Sequence, residues 1–599
     1  MASLAGAAEF EGHVDVGLRE VSLSGDESKY RQHVNLDDGA RIFGLSLRFA
    51  PSKEAGHVPD LIELNASGLG GDPYQNIDLQ IREYGGYQFK YSRRQSDYFY
   101  DDLLIDPTAA SIEKSTGGDF HKFDFERVRD SVSLDINLSD RAKLALEYDR
   151  YEKTGDSTTV YDIEREEFEL DQPIDELHQS YAASLEYAWD KVSVVWTERL
   201  REYENASSVL LPGFSSGSDP EAPTELDFFF LDQPYELDSF EHQLRIKARP
   251  TRRFDVLFAA LLTDTDLDLQ TQERAQGLDY LGVPFVTDVA GSGDADRDTE
   301  HYHLALGYRL HERVRVIASG RRNTLDQTST LRAGPSQGDG AWKMRSNGFE
   351  TGVELAIIRG LNLSAGWVTE SRDTEFVQES ADFLDAADVK TTRDGYYFDL
   401  AYRPDARLTL GLSFEDDSID DPFTLASPTD SQRLRVHGRY RWPNGTSVSA
   451  SYRYRELENE RSGWDSRNGQ ATVRLTHTAT NWQIALGASW IDLNREIEQR
   501  VVGGFRQDLF AIEYAADASY VDGSVRWNAA ERLTFGGSFR SYDNDGSFEA
   551  ERDEVSAFAE FALPRHYSVE LGYRNVDFAE EDLESFDADI WEVKLRLRW

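Results

Sequence analysis

The chain has 599 residues, no cysteine, and 64 basic against 110 acidic side chains, a formal net charge of -46. Disulfides and thiol chemistry are excluded, and so large a negative charge argues against a nucleic-acid partner. Mean hydropathy is -0.58 and no run of about 18 apolar residues occurs, which excludes a transmembrane helix but not a transmembrane barrel, whose apolar residues hide in alternation. The length exceeds what one soluble core usually supports, yet no linker or change of texture divides the chain. Aromatic residues, at 12%, are abundant enough to form two interfacial girdles.

Met1–Ala8 is short and rich in small residues and reads as the tail of a longer export signal or an added start. Alternation of apolar and polar residues is weak over Val14–Leu23 and clear over Arg41–Phe49. We therefore expect residues 1–38 to form an N-terminal segment, periplasmic or entering a barrel, and residues 39–599 to form the barrel itself. Side chains alternate across a strand with period two. Ile77, Leu79 and Ile81 share one face, with Asp78, Gln80 and Arg82 on the other. The same reading gives faces at Val132–Leu138, Tyr181–Trp189, Val192–Trp196, Leu244–Ile246, Tyr302–Tyr308, Leu408–Phe414, Leu434–Trp442, Trp482–Trp490, Val555–Phe561 and Tyr567–Tyr573. Each run is about ten residues, the length of a tilted strand crossing a bilayer.

The connections alternate. Short ones, such as Arg403–Arg407, Trp442–Thr446 and Leu563–His566, carry the Pro, Asn and Gly of tight turns. Long ones fall near 151–178, 201–238, 264–298, 323–344, 373–392, 416–430 and 577–587. The last strand places Trp591, Val593, Leu595, Leu597 and Trp599 on one face and Glu592, Lys594, Arg596 and Arg598 on the other, and ends on an aromatic. Together these predict an all-β fold: a transmembrane antiparallel up-and-down barrel of about 26 strands, with short periplasmic turns and long extracellular loops. So wide a barrel needs filling, and little chain remains for an N-terminal plug. Inward faces carry Arg82, Lys90, Arg245, Lys247, Lys594, Arg596 and Arg598 with Asp78, Asp135, Glu186 and Glu592. Such residues serve either ion selection in a porin or pairing with a protein cargo.

Several segments resemble the MtrB/PioB family of decahaem-associated outer-membrane proteins. They are Val14–Tyr30 with Asn35–Gly39, then Leu170-Asp-Gln-Pro-Ile-Asp-Glu-Leu-His-Gln-Ser-Tyr181 continuing to Tyr187, and Glu204–Pro212. Leu231-Asp-Gln-Pro-Tyr-Glu-Leu-Asp-Ser-Phe-Glu-His-Gln-Leu244 echoes the second of these, and the two Asp-Gln-Pro triplets read as an internal hairpin repeat. The resemblance is segment-specific over roughly the first 260 residues and textural beyond. The Cys-x-x-Cys that several family members carry is absent.

The resemblance implies a sheath in the bacterial outer membrane: a barrel enclosing a periplasmic multihaem c-type cytochrome, with an outer-surface multihaem cytochrome as a further partner. Haem c is then expected on the partner. This chain lacks the Cys-x-x-Cys-His that attaches it, and no cofactor is expected to be bound covalently here. No catalytic, cofactor or metal residue is assigned, and no enzyme activity is expected. His301 and His303 share a strand face and read first as a solvated lumen pair. The acidic groups Glu580–Glu584, Asp416–Asp417 with Asp420–Asp421, and Asp294 with Asp296 lack the spacing of a calcium loop and read as solvated charge. Val502–Phe505 lacks the Lys-Ser/Thr of a phosphate loop. The rival readings are a large porin or substrate-specific channel and an outer-membrane enzyme. A co-purifying or neighbouring multihaem cytochrome separates the sheath from both.

Overall fold

The computed structural model describes residues 9–51, 59–100, 122–163, 166–211, 213–216, 224–334, 336–380, 383–424, 427–503, 506–547, 549–580 and 584–599. They form one closed antiparallel barrel of 26 strands with a single short helix. The first strands are β1 (Glu9–Gly25), β2 (Gly39–Ala50), β3 (Leu61–Leu69), β4 (Tyr74–Arg82) and β5 (Tyr87–Tyr100). Helix α1 (Glu27–His33) lies between β1 and β2. The wall continues through β6 (Phe123–Ser139), β7 (Ala142–Ile163), β8 (Glu166–Ala188) and β9 (Val192–Asn205). Three short strands then stand above the ring: β10 (Ser208–Leu210), β11 (Ser215–Ser216) and β12 (Glu225–Asp232). The ring resumes with β13 (Tyr235–Thr251), β14 (Phe254–Leu278), β15 (Pro284–His311), β16 (Val314–Ala333), β17 (Ser336–Ile358), β18 (Leu361–Ser380) and β19 (Phe383–Tyr402). Next come β20 (Leu408–Asp420), β21 (Asp430–Arg441), β22 (Thr446–Asn459), β23 (Trp464–Thr478) and β24 (Trp482–Gly503). The last are β25 (Arg506–Ala530), β26 (Leu533–Gly546), β27 (Ala550–Leu563), β28 (Tyr567–Glu580) and β29 (Ser585–Arg598).

The ring closes where β1 pairs with β29, Val14 opposite Leu597, Val16 opposite Leu595 and Leu18 opposite Val593. The strand read as weak in the sequence is thus a full wall strand, and the barrel does not begin at residue 39. The N-terminal segment supplies the closing seam because its Val14-Val16-Leu18 alternation matches that of the last strand. At the seam the backbones approach so closely that a Cβ on Gly17 would lie 1.9 Å from the Val593 carbonyl oxygen. Closure leaves no unpaired sheet edge, the condition for strands to cross lipid.

Large apolar side chains exposed on the outside form a belt, including Leu185, Leu304, Leu306, Leu410, Leu486, Leu571 and Val593. Trp189, Tyr308, Trp442, Trp482 and Trp527 rim it near the tight turns, and Tyr181, Tyr396, Trp490 and Tyr542 lie further along the strands. Among the described residues no helix is long and apolar enough to cross a membrane. The belt is the face a barrel presents to lipid.

Many strands run far past this belt. β14 and β15 stay paired from Phe254–Tyr308 out to Leu278–Pro284, and β7 with β8 out to Ile163–Glu166. Much of what the sequence suggests as long loops is therefore continued hairpin. The reason is visible on β14: its outward face reads Val256, Phe258, Ala260, Leu262 and then Asp264, Asp266, Asp268. The strand persists while the outward residues change from lipid-compatible to water-compatible. Opposite them stand Asp298, Asp296 and Asp294 on β15. There Asp266 is pushed above the usual carboxylate range by its hydrogen bond with Asp296 and by neighbouring carboxylates.

Two apolar clusters line the inner side of this extended end. In one, β10 lies between β8 and β12, with Leu210 opposite Asp171 and Phe230. Phe168, Leu170, Val209, Leu211, Leu226, Phe229, Leu231 and Ala275 pack together there. The two Asp-Gln-Pro triplets do not form a hairpin with each other. They flank β10 from either side, and the leucines preceding them, Leu170 and Leu231, meet in the same cluster.

Candidate functional site: the lumen

With strands ~4.8 Å apart and tilted ~40°, a round ring of this strand number is about 50 Å across. Side chains cannot fill that width. Among the described residues, the only helix is α1. It sits at the extended end, where β2, β3 and β4 are short, and links the two higher walls beside them. On one side Tyr30 meets Phe586 edge to face at 5.6 Å and His33 stacks on Phe578 at 4.3 Å. Lys29 pairs with Glu580 at 2.5 Å and Glu584 at 3.6 Å. On the other side Arg31 reaches Asp124 of β6 at 3.1 Å and covers the Phe99 ring of β5 at 3.8 Å. Asp26 caps the helix, accepting from the Lys29 backbone N–H at 2.7 Å. Burial, with Arg552 and Lys29 nearby, lowers His33 to about 4, so it is neutral at pH 7. Burial also pushes the Tyr30 hydroxyl up to about 12.

The wall β27–β28–β29–β1 is charged but internally balanced. Glu560 sits among Arg526, Arg596 and Arg598 at 3.3–3.6 Å. Glu554 receives Arg540 at 3.3 Å and Arg574 at 3.1 Å, with Arg552 at 3.7 Å. Asp15 takes both arms of Arg596 at 2.6 and 2.7 Å. Lys594 bridges Glu570 and Glu592. Asp72, in the β3–β4 turn, joins Arg19 and Arg41. Lys594, Arg596, Arg598 and Glu592, read from sequence as lumen-facing, all meet in this network. Arg82, Lys90, Arg245, Lys247, Asp78, Asp135 and Glu186 lie on other strands and do not converge with it.

The wall β21–β22–β23 is different. Leu434, Val436 and Tyr440 of β21 face lipid, so Arg433, Arg435, His437, Arg439 and Arg441 face the lumen. By register Arg453 and Arg455 of β22 and Arg474 of β23 join them. The other lumen-facing positions of these strands are Ser, Thr, Asn, Gln, a leucine and Trp464. Their acidic residues, Asp430, Glu456, Glu458 and Asp465, all lie on the outward parity. Sequence reasoning missed this row, although arginine at alternate positions of 433–441 is its plain signal.

The remaining candidates disperse. His301 hydrogen-bonds Asn323, while His303 lines a separate recess with Arg309 and Arg315. Asp417 holds Arg393 at 2.8–3.0 Å, and Asp421 pairs with Arg461. Asp294 accepts from Thr330. Val502–Phe505 and Glu580–Glu584 extend outside the described residues. No cluster of three potential metal ligands occurs among those described.

Fold and belt define a large outer-membrane-type β-barrel. No family model matches the chain, and no curated relative does. Among solved structures it is similar to the ferric yersiniabactin uptake receptor FyuA from Yersinia pestis. The TM-score is 0.53 at 11% identity, over 99% of this chain and 80% of that one. The copper transporter OprC aligns at 0.49 and 11% identity over 100% and 81%, and the ferric citrate transporter FecA at 0.46 and 9% over 99% and 97%. At 11% identity the likeness to FyuA is one of fold.

Proposed function

We propose that this barrel stands in the bacterial outer membrane, turns toward the periplasm, and sheathes a multihaem c-type cytochrome that carries electrons across. The observation that carries the reading is the lumen of the 26-strand ring, whose backbone by strand geometry is about 50 Å across: it is polar and charged, with only α1 and the rim clusters projecting into it among the described residues. A folded cargo fits such a space, and the lumenal charges give it register more than raw affinity. The resemblance of the N-terminal segments to decahaem-associated barrels supports the same cargo. An outer-surface multihaem cytochrome would then receive or deliver electrons at the extended end. The second reading, a large substrate channel, is favoured by α1 and the rim clusters, which narrow that end.

Gentle purification from native outer membrane, with an absorption spectrum and a haem-stained gel, tests the proposal. A stoichiometric c-type cytochrome supports it. A colourless barrel that conducts ions alone supports the channel.

A further inference from the structure

The β21–β22 wall holds arginines directly opposite one another: Arg433 faces Arg455, and Arg435 faces Arg453. Like charges in opposed cross-strand positions destabilise a sheet. Their other neighbours give little relief. Arg455 stands beside Asn468, Arg453 beside Gln470 and Arg435 beside Ser413. Among the described residues, Arg433 alone of the four has a carboxylate, Glu415 at 3.3 Å, and its buried Nε has no partner. The four arginines line one recess of about 350 Å³ with Tyr454, Asn468 and Gln470.

This is not for want of acid, since the chain carries 110 carboxylate side chains. Elsewhere in the lumen it sets them against arginine, as at Glu554, Glu560 and Glu370. Guanidinium forks match carboxylates two bonds at a time. Opposed pairs stand ~5 Å apart, and successive pairs ~7 Å apart along the strands. Such a rectangle suits several carboxylates on a surface better than one small ion.

We propose that this wall is the seat for a carboxylate-rich face of the enclosed protein, made of acidic side chains and exposed haem propionates. It supplies the counter-charge the barrel omits and fixes the cargo's rotation about the barrel axis. The inference rests on the sheath reading.

The test compares native complex with the variant R433Q/R435Q/R453Q/R455Q and with R435E/R453E. Haem retained per barrel is measured through a sodium chloride series, and heat-modifiable gel migration confirms that each barrel is folded. The expected result is at least a tenfold loss of haem at moderate salt for the glutamine variant and a greater loss for the glutamate variant. If both variants hold cytochrome as tightly as wild type at every salt concentration, the seat is overturned and the sheath stands. If wild type carries no cytochrome, the sheath reading falls and takes the seat with it.

Discussion

Two walls of one lumen solve the problem of charge in opposite ways. On β27–β28–β29–β1 each buried carboxylate is surrounded by arginines or lysine of the same chain, as Glu554 and Glu560 are. On β21–β22 Arg433 and Arg435 face Arg455 and Arg453, and the acids of β21–β23 point outward. The first pattern is what a barrel needs to hold its own seam. The second is unfavourable in the empty barrel and makes sense when the missing charge arrives on something else.

The largest expected difference comes from removing the anchor of the balanced wall. Glu554→Ala leaves Arg540, Arg552 and Arg574 without their shared carboxylate. Glu554 is buried but its arginines are 28–55% exposed, so losing these charged hydrogen bonds costs about 1.5–3 kcal/mol, less than breaking a fully buried pair. The urea midpoint of the cytochrome-free barrel in micelles should fall accordingly. A change under ~1 kcal/mol would remove the distinction between the walls.

A smaller, pH-dependent effect is expected at α1, which docks on the outer end of the balanced wall. His33 has its pKa lowered to about 4, while the undocked residue titrates near 6.5. Above pH 6.5 both states are neutral and docking is unimpaired. As pH falls from 6.5 toward 4 the undocked state takes up a proton the docked state resists, so docking weakens through that window. The groups facing it are Arg552, Lys29 and Glu580. The protection factor over residues 26–36, taken relative to the intrinsic exchange rate at each pH, should be lower at pH 4.5 than at pH 7, and His33→Phe should reduce that difference. Equal protection at both values in wild type would contradict the docking described.

The smallest expected change is on the basic wall itself. Arg455→Gln in the cytochrome-free barrel removes one opposed pair and should leave stability unchanged or raise it by about 0.2–1 kcal/mol. A clear loss on denaturation would mean that these arginines serve the empty barrel after all.

Much of this architecture is legible in the sequence, because lipid demands strict alternation and β29 obeys it from Trp591 to Trp599. The extent of β14 and β15 is less legible: past Leu262 the outward face turns acidic and the next leucines, Leu267 and Leu269, stand on the inward one, so the apolar stripe breaks off and changes face though the strand continues. β1 reads as weak because its apolar residues change face: Val14, Val16 and Leu18 point outward, whereas Val21 and Leu23 lie on the inward parity against the Phe578–Phe586 cluster. The opposed arginines required register. The alternation of Arg433–Arg441 is plain, but that Arg455 and Arg453 stand opposite the first two depends on the Trp442–Thr446 turn.

The central claim, that the barrel conducts electrons only through an enclosed cytochrome, is tested most directly in sealed vesicles holding a trapped electron acceptor. The account predicts that the purified complex passes electrons to the acceptor and keeps small solutes inside, whereas the barrel stripped of cytochrome leaks those solutes and passes no electrons from an external, membrane-impermeant donor protein. A stripped barrel that stays tight to small solutes would contradict it.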